Sequence, residues 1–278
     1  MLRFALILVA AVLVAIVALV WLYQERVVWQ PPGPPHDHDV AGAGVRRVEY
    51  VAEDGQPLFG WLVEPSREVG DSAGTVPRRV VIAFHGNAEV AAWVVPWGAE
   101  VARRTGWTVL IPEYRGYAGL PGRPTYDGSR LDARAAHAWV RDELGVPPRR
   151  IALHGFSLGS AVAMELAEEV GPRVVMLQSP FTSTSEMARA FGAWPVAFIW
   201  RGVGRVHFDT RRRVARLTAP VWVAHGDRDR VIPTRMGRAV HAAARNPGEL
   251  LIVPHAGHND LVERGGEGYW GWVERGLR

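Results

Sequence analysis

The stretch Arg150-Ile151-Ala152-Leu153-His154-Gly155-Phe156-Ser157-Leu158-Gly159 decides how the rest of the chain is read. Its first part, Arg150–Leu153, is a short apolar run of the kind that forms a strand buried on both faces. Its second part is Gly-x-Ser-x-Gly. A helix pattern, Leu158–Glu169, follows at once. A serine between two glycines at a strand-to-helix turn reads as a nucleophile elbow. The turn is so tight that side chains at positions 155 and 159 would collide with neighbouring elements. It lifts the Ser157 hydroxyl above the sheet and sets it at a helix N-terminus, where the dipole favours developing negative charge.

Working outward, short Val-, Ile- and Leu-rich runs recur at Arg79–Phe84, Thr108–Ile111, Arg150–Leu153, Val174–Leu177, Val221–Ala224 and Leu250–Val253. Helix patterns lie between or after them at Glu89–Arg104, Ser129–Leu144, Leu158–Glu169, Thr234–Ala244 and Asp260–Arg275. Such alternation predicts an α/β domain with a mainly parallel sheet and helices on both faces. Ahead of it, Val45–Val51 and Leu58–Val63 flank the turn Glu53-Asp54-Gly55 and read as a hairpin at one edge. The expected sheet has eight strands. Its chemistry should sit at the carboxyl ends of the parallel strands.

A serine hydroxyl is a weak nucleophile until a base takes its proton, and that base is normally a histidine held by a carboxylate. His258, in Pro254-His255-Ala256-Gly257-His258, follows the last strand and precedes the last helix. Gly257 lets the loop turn sharply there, which favours His258 over His255. The acid is expected between Ser and His in chain order. The segment His225-Gly226-Asp227-Arg228-Asp229 follows the strand Val221–Ala224, with Asp229 preferred and Asp227 the alternative. A tetrahedral intermediate needs two N–H donors for its oxygen. The backbone of Leu158 should supply one. The loop His85-Gly86-Asn87-Ala88 should supply the other, through the backbone N–H of Asn87. His85 reads as a structural residue orienting that loop.

The N-terminus has a different character. Phe4 to Leu22 is 19 residues of unbroken apolar sequence, close to the ~20 that cross a bilayer as a helix. Trp21 and Tyr23 stand where aromatic rings prefer the headgroup level. The run is longer than the core of a secretion signal, and bulky Val20-Trp21-Leu22-Tyr23 occupies the place of a small-residue cleavage site. An uncleaved anchor over residues 1–23 is expected. The amine and Arg3 precede the span and Glu25 and Arg26 follow it, which favours an extracytoplasmic catalytic domain. Pro31-Pro32-Gly33-Pro34-Pro35 reads as a stiff spacer within a linker at 24–44. His36, Asp37, His38 and Asp39 read as solvated linker rather than a metal site. The domain proper is expected at 45–278, about 235 residues, a size that suits one α/β unit.

Composition narrows the function classes. The chain is 48% hydrophobic and 22% charged, with a net charge of +4 and a sequence pI near 9.9. All its basic residues other than histidine are arginine. They are scattered apart from Arg211-Arg212-Arg213, so no basic stripe or module indicates nucleic acid. The absence of cysteine removes thiol nucleophiles, disulfides and thiolate metal sites. No metal or organic cofactor is implied, because a Ser-His-Asp set works without one.

These motifs together carry a resemblance. His85-Gly86-Asn87-Ala88, Tyr114-Arg115-Gly116-Tyr117, Gly155-Phe156-Ser157-Leu158-Gly159-Ser160, Ser179-Pro180-Phe181-Thr182-Ser183, His225-Gly226-x-x-Asp229-x-x-x-Pro233 and Gly257-His258 occur in order. Over roughly Val45–Val273 the chain resembles the α/β-hydrolase superfamily, most nearly its BEM46-like branch. The resemblance implies Ser157 as nucleophile, Asp229 as acid and His258 as base, and esterase, thioesterase or lipid-hydrolase activity. It departs from the branch at Ala118–Pro124 and at Glu113, where Asp is usual. The connection Ser179–Ala219 falls where this fold carries a lid. Its Trp194, Phe198 and Trp200 are candidate contacts for an apolar acyl substrate, or core of the lid itself. A serine peptidase and a non-catalytic binding protein of the same fold are the alternatives. The first usually has a large additional domain, and the second usually lacks a triad residue.

Overall fold

The computed structural model describes residues 2–33, 40, 42, 44–65 and 78–278; the side chains of Trp194 and Pro195 and the linker residues His36–Asp39 lie outside what it describes. The sheet has eight strands: β1 (Val45–Val51), β2 (Pro57–Val63), β3 (Val80–Phe84), β4 (Thr108–Pro112), β5 (Ile151–Phe156), β6 (Val174–Gln178), β7 (Val221–Gly226) and β8 (Pro247–Val253). Their order is β1-β2-β4-β3-β5-β6-β7-β8. β1 and β2 pair antiparallel, β2 meets β4 antiparallel, and every other pairing is parallel.

All five residues of each of β3, β4 and β6 are buried. That is why these runs are mostly apolar, without alternation, the polar exceptions Thr108 and Gln178 standing at strand ends. The alternation is instead between two cores. Val80, Ile82 and Phe84 join Leu110, Ile151, Leu153, Val175 and Val223 on one face, under α3 (Tyr126–Glu143) and α4 (Leu158–Val170). Val81 and Ala83 join Val109, Ile111, Ala152 and Met176 on the other, under α2 (Ala91–Thr105) and α9 (Leu261–Leu277). Edge strand β1 is mostly exposed, with Val48 its one buried residue.

After β3 the chain moves outward to β4, then crosses back to β5. The strand order therefore reverses between β3 and β5, where Phe84 pairs with Gly155. Open α/β sheets bind ligands outside the carboxyl ends of strands at such a point. The loop His85–Ala88 and Ser157 both emerge there.

Three short helices make up the connection after β6: α5 (Thr184–Ala190), α6 (Trp194–Val203) and α7 (Thr210–Val214). α8 (Thr234–Ala243) links β7 to β8. The N-terminal helix α1 spans Leu2–Val28, and its segment Leu6–Val28 is long and apolar enough to cross a membrane. It continues five residues beyond Tyr23 and packs against α6.

Candidate active site

Ser157 is the one residue between β5 and α4, with φ 53° and ψ −116°. A non-glycine residue rarely adopts such a backbone, which costs on the order of 1–3 kcal/mol and persists only where the surroundings impose it. The two glycines show how they impose it. A Cβ on Gly155 would lie 2.3 Å from the Gly159 carbonyl oxygen, and one on Gly159 would lie 2.2 Å from the Phe84 carbonyl oxygen. The elbow is pressed onto its own helix and onto the end of β3. The Ser157 N–H donates to the Gln178 carbonyl at 2.9 Å, and the Ser160 hydroxyl donates to the Ser157 carbonyl at 2.5 Å.

His258 reaches this serine from the loop between β8 and α9. Its Nε2 is 3.0 Å from Ser157 Oγ and its Nδ1 is 2.7 Å from Asp229 Oδ2. A carboxylate facing Nδ1 fixes the proton on that nitrogen, so Nε2 is free to accept the serine proton. The ring also packs on Phe156, with centroids 5.0 Å apart. Gly226 brings the two carrier loops together: a Cβ there would lie 2.3 Å from the Ala256 carbonyl oxygen.

Asp229 is buried and heavily bonded. Oδ1 accepts from the N–H groups of Val231 (2.9 Å) and Ile232 (2.8 Å), and Oδ2 also lies 3.2 Å from His225 Nε2. Burial would raise its pKa, but the hydrogen bonds from His225, His258 and the Ile232 N–H hold it well below the usual carboxylate range. The carboxylate therefore stays ionised. Asp227 and His255, the alternatives weighed from sequence, are both exposed. The structure thus brings Ser157, His258 and Asp229 into one hydrogen-bonded chain.

Asn87 lies in the loop after β3, at the switch point. Its side chain is committed: Oδ1 accepts from the Tyr117 hydroxyl at 2.8 Å, and Nδ2 donates to the Val28 carbonyl at 2.8 Å. Among the described residues, the backbone N–H groups of Asn87 and Leu158 donate to no protein acceptor. His85 is buried beneath this loop. Its Nε2 lies 2.9 Å from Glu113 Oε1 and its Nδ1 2.9 Å from the Gly86 carbonyl oxygen. Burial works against the charged ring, yet Glu113 outweighs it and raises the His85 pKa. Glu113 Oε2 also accepts the Ala91 N–H at the start of α2, so Glu113 ties β4, the loop and α2 together.

The lid residues read from sequence part company. Phe198 is 75% exposed. Trp200 is buried, and its indole N–H donates to the Val206 carbonyl at 2.8 Å, which puts it in the packing of the lid. Behind the loops, a cavity of about 150 Å³ is lined by His85, Glu89, Trp97, His154, Phe156 and Asn259 among others. A cleft of about 320 Å³ between α5 and α8 is lined by Thr182, Glu186, Arg189, Arg235 and Met236, and by no residue of the Ser-His-Asp chain. Among the described residues no His, Asp and Glu cluster is arranged to hold a metal.

Sequence reasoning missed three contributors: His225, Glu113 and Tyr117. The first two had a signal, His225 in the motif before Asp229 and Glu113 as a departure from family usage. Only the fold shows what Tyr117 bonds.

Comparison with known proteins bears on the fold and the family. Residues 79–199 match the model of the alpha/beta hydrolase fold. An uncharacterised protein of Mycobacterium tuberculosis is 37% identical over 260 residues, covering 91% of this chain and 86% of that protein. Among solved structures, an acetyl xylan esterase from Paenibacillus sp. R4 superposes with a TM-score of 0.66 at 21% identity, covering 87% of this chain and 86% of that one. The Pyrococcus furiosus esterase Pf2001 gives a TM-score of 0.67 at 19% identity, covering 90% of this chain and all of the other. The chain belongs to the α/β-hydrolase superfamily.

Proposed function

We propose that this protein is a membrane-anchored serine hydrolase that cleaves carboxylic esters or thioesters of acyl, lipid-like substrates through an acyl-enzyme. The observation that carries the reading is the chain Ser157 Oγ–His258 Nε2 (3.0 Å) and His258 Nδ1–Asp229 Oδ2 (2.7 Å). Ser157 Oγ attacks the acyl carbon while its proton passes to His258 Nε2. The ionised Asp229 stabilises the imidazolium through Nδ1–H. The new oxyanion takes the N–H groups of Leu158 and Asn87, aimed from a helix N-terminus and the facing loop. Collapse expels the alcohol or thiol, which receives the proton from His258. Water, deprotonated by the same ring, then releases the acid and restores Ser157.

The anchor is assigned to α1, retained in the mature protein, with the catalytic domain at 45–278 on the extracytoplasmic side. The length and apolarity of Leu6–Val28 support a span, and Arg3 before it supports that orientation. Exposed Phe191 and Phe198 on the lid, and the packing of α6 on α1, support entry of substrate from the lipid side.

The test is hydrolysis of p-nitrophenyl esters and acyl-thioesters of rising chain length by the detergent-purified protein. Ser157→Ala is expected to lower kcat by on the order of 10⁴ or more. Hydrolysis that survives the substitution would overturn the assignment.

A further inference from the structure

The end of α1 is built into the catalytic domain. Gln24 is 1% exposed although it follows the apolar run. Its Oε1 accepts from the backbone N–H groups of Arg205 (2.5 Å) and Val206 (3.0 Å), and its Nε2 donates to the Trp21 carbonyl at 3.0 Å. Trp29 is 3% exposed and sits edge-on to Tyr114, Tyr117 and Phe208, with ring centroids 5.6, 6.4 and 6.3 Å away. One residue later the Gln30 N–H donates to Asn87 Oδ1 at 2.9 Å and to the Tyr117 hydroxyl at 3.2 Å. Asn87 Nδ2 completes the junction on the Val28 carbonyl.

Both ends of the Asn87 amide are therefore spent on the last residues of α1 and the residue two beyond it. A side chain held this way cannot turn toward substrate, but it fixes the direction of its own backbone N–H. Donors that stabilise an oxyanion must be aimed before the reaction, and a shift of about 1 Å costs on the order of 10²-fold in rate.

We propose that Gln24, Trp29 and Gln30 are positioning residues that act through Asn87. The end of the apolar helix is then a strut for the oxyanion loop, and the anchor shapes the active site as well as holding the protein at the bilayer. The catalytic part of this claim rests on the hydrolase reading above; the mechanical part does not. It also gives a reason for α1 to be kept, since a discarded leader would take core residues with it.

The experiment uses the full-length protein in detergent and two readouts. One is kcat and KM for a short, water-soluble ester. The other is hydrogen exchange of the Gly86–Ala88 amides. Trp29→Ala is expected to lower kcat roughly 10- to 100-fold with KM little changed, and to speed exchange in the loop. Trp29→Phe should restore most of both. Tyr117→Phe removes a single oxygen from the junction, so it tests the same point if Trp29→Ala fails to fold, with an expected kcat loss of roughly 3- to 10-fold. Leu13→Ala, within the apolar run, should change neither. If the wild type hydrolyses no ester yet the loop loosens in Trp29→Ala, the hydrolase reading fails and the strut stands. Folded variants with unchanged loop exchange would overturn the strut. Looser exchange with unchanged kcat would overturn its positioning role.

Discussion

At the scale of single residues, the site depends on contacts too close for any side chain. Gly159 faces backbone oxygens of Phe84 and His85 at 2.2 and 2.5 Å from where a Cβ would stand. Backbone cannot swing away as a flexible side chain can. Gly159→Ala is expected to lose about 3 kcal/mol or more, at the upper end of overpacking costs. Gly202→Ala is the control, because nothing lies within 4 Å of the added carbon and the position is helical. Thermal unfolding of the two variants should separate clearly. His154 gives a second prediction. Its ring is buried against Trp97, with centroids 4.3 Å apart, and burial pushes its pKa from 6.5 down to about 3. Between these values the unfolded chain binds a proton that the folded chain refuses. Stability therefore falls as pH drops from about 6.5 toward 3, by up to about 1.4 kcal/mol per pH unit. His154→Leu should flatten that part of the stability–pH curve, measured by denaturant titration. An unchanged slope would refute the assignment.

At the scale of elements, the sequence was most readable where one periodicity dominated. β3, β4, β5 and β6 were legible because each is buried on both faces and carries a short, mostly apolar run without alternation. The hairpin was legible from its turn. The starts of α4 and α8 match expectation, and the other helix ends differ by one to three residues, since caps and final turns depend on contacts the local pattern does not contain. The end of α1 was not legible at all. Gln24-Glu25-Arg26 has the polarity of a chain leaving a membrane, yet Gln24 is buried by partners at positions 205 and 206. The lid was only half legible. Apolarity marked Phe198 and Trp200 alike, but a hydrogen bond to Val206 turns Trp200 inward and leaves Phe198 outside. An exposed phenylalanine gives a prediction of its own. Phe198→Ser should reduce hydrolysis of a long-chain ester in vesicles about tenfold, the effect of losing 1–2 kcal/mol of apolar contact. Hydrolysis of a soluble short-chain ester should stay within about twofold of wild type. Equal loss on both substrates would place Phe198 in lid folding instead of lipid contact.

At the scale of the whole molecule, the parts of the candidate site come from distant stretches of chain. Asn87, Ser157, Asp229 and His258 span most of the domain, and the reversal of strand order between β3 and β5 gathers the loop and the elbow. The triad candidates were legible because each follows its strand within a short motif. Their support was not: His225, Glu113 and the end of α1 act through pairings fixed only by the fold. All of this chemistry turns on an activated serine at position 157. Its most direct test is labelling of the intact, full-length protein with a fluorophosphonate, read by mass. One adduct is expected on the wild type, on Ser157, and none on Ser157→Ala. Labelling that persists in the variant, or a folded wild type that takes no label, would contradict it.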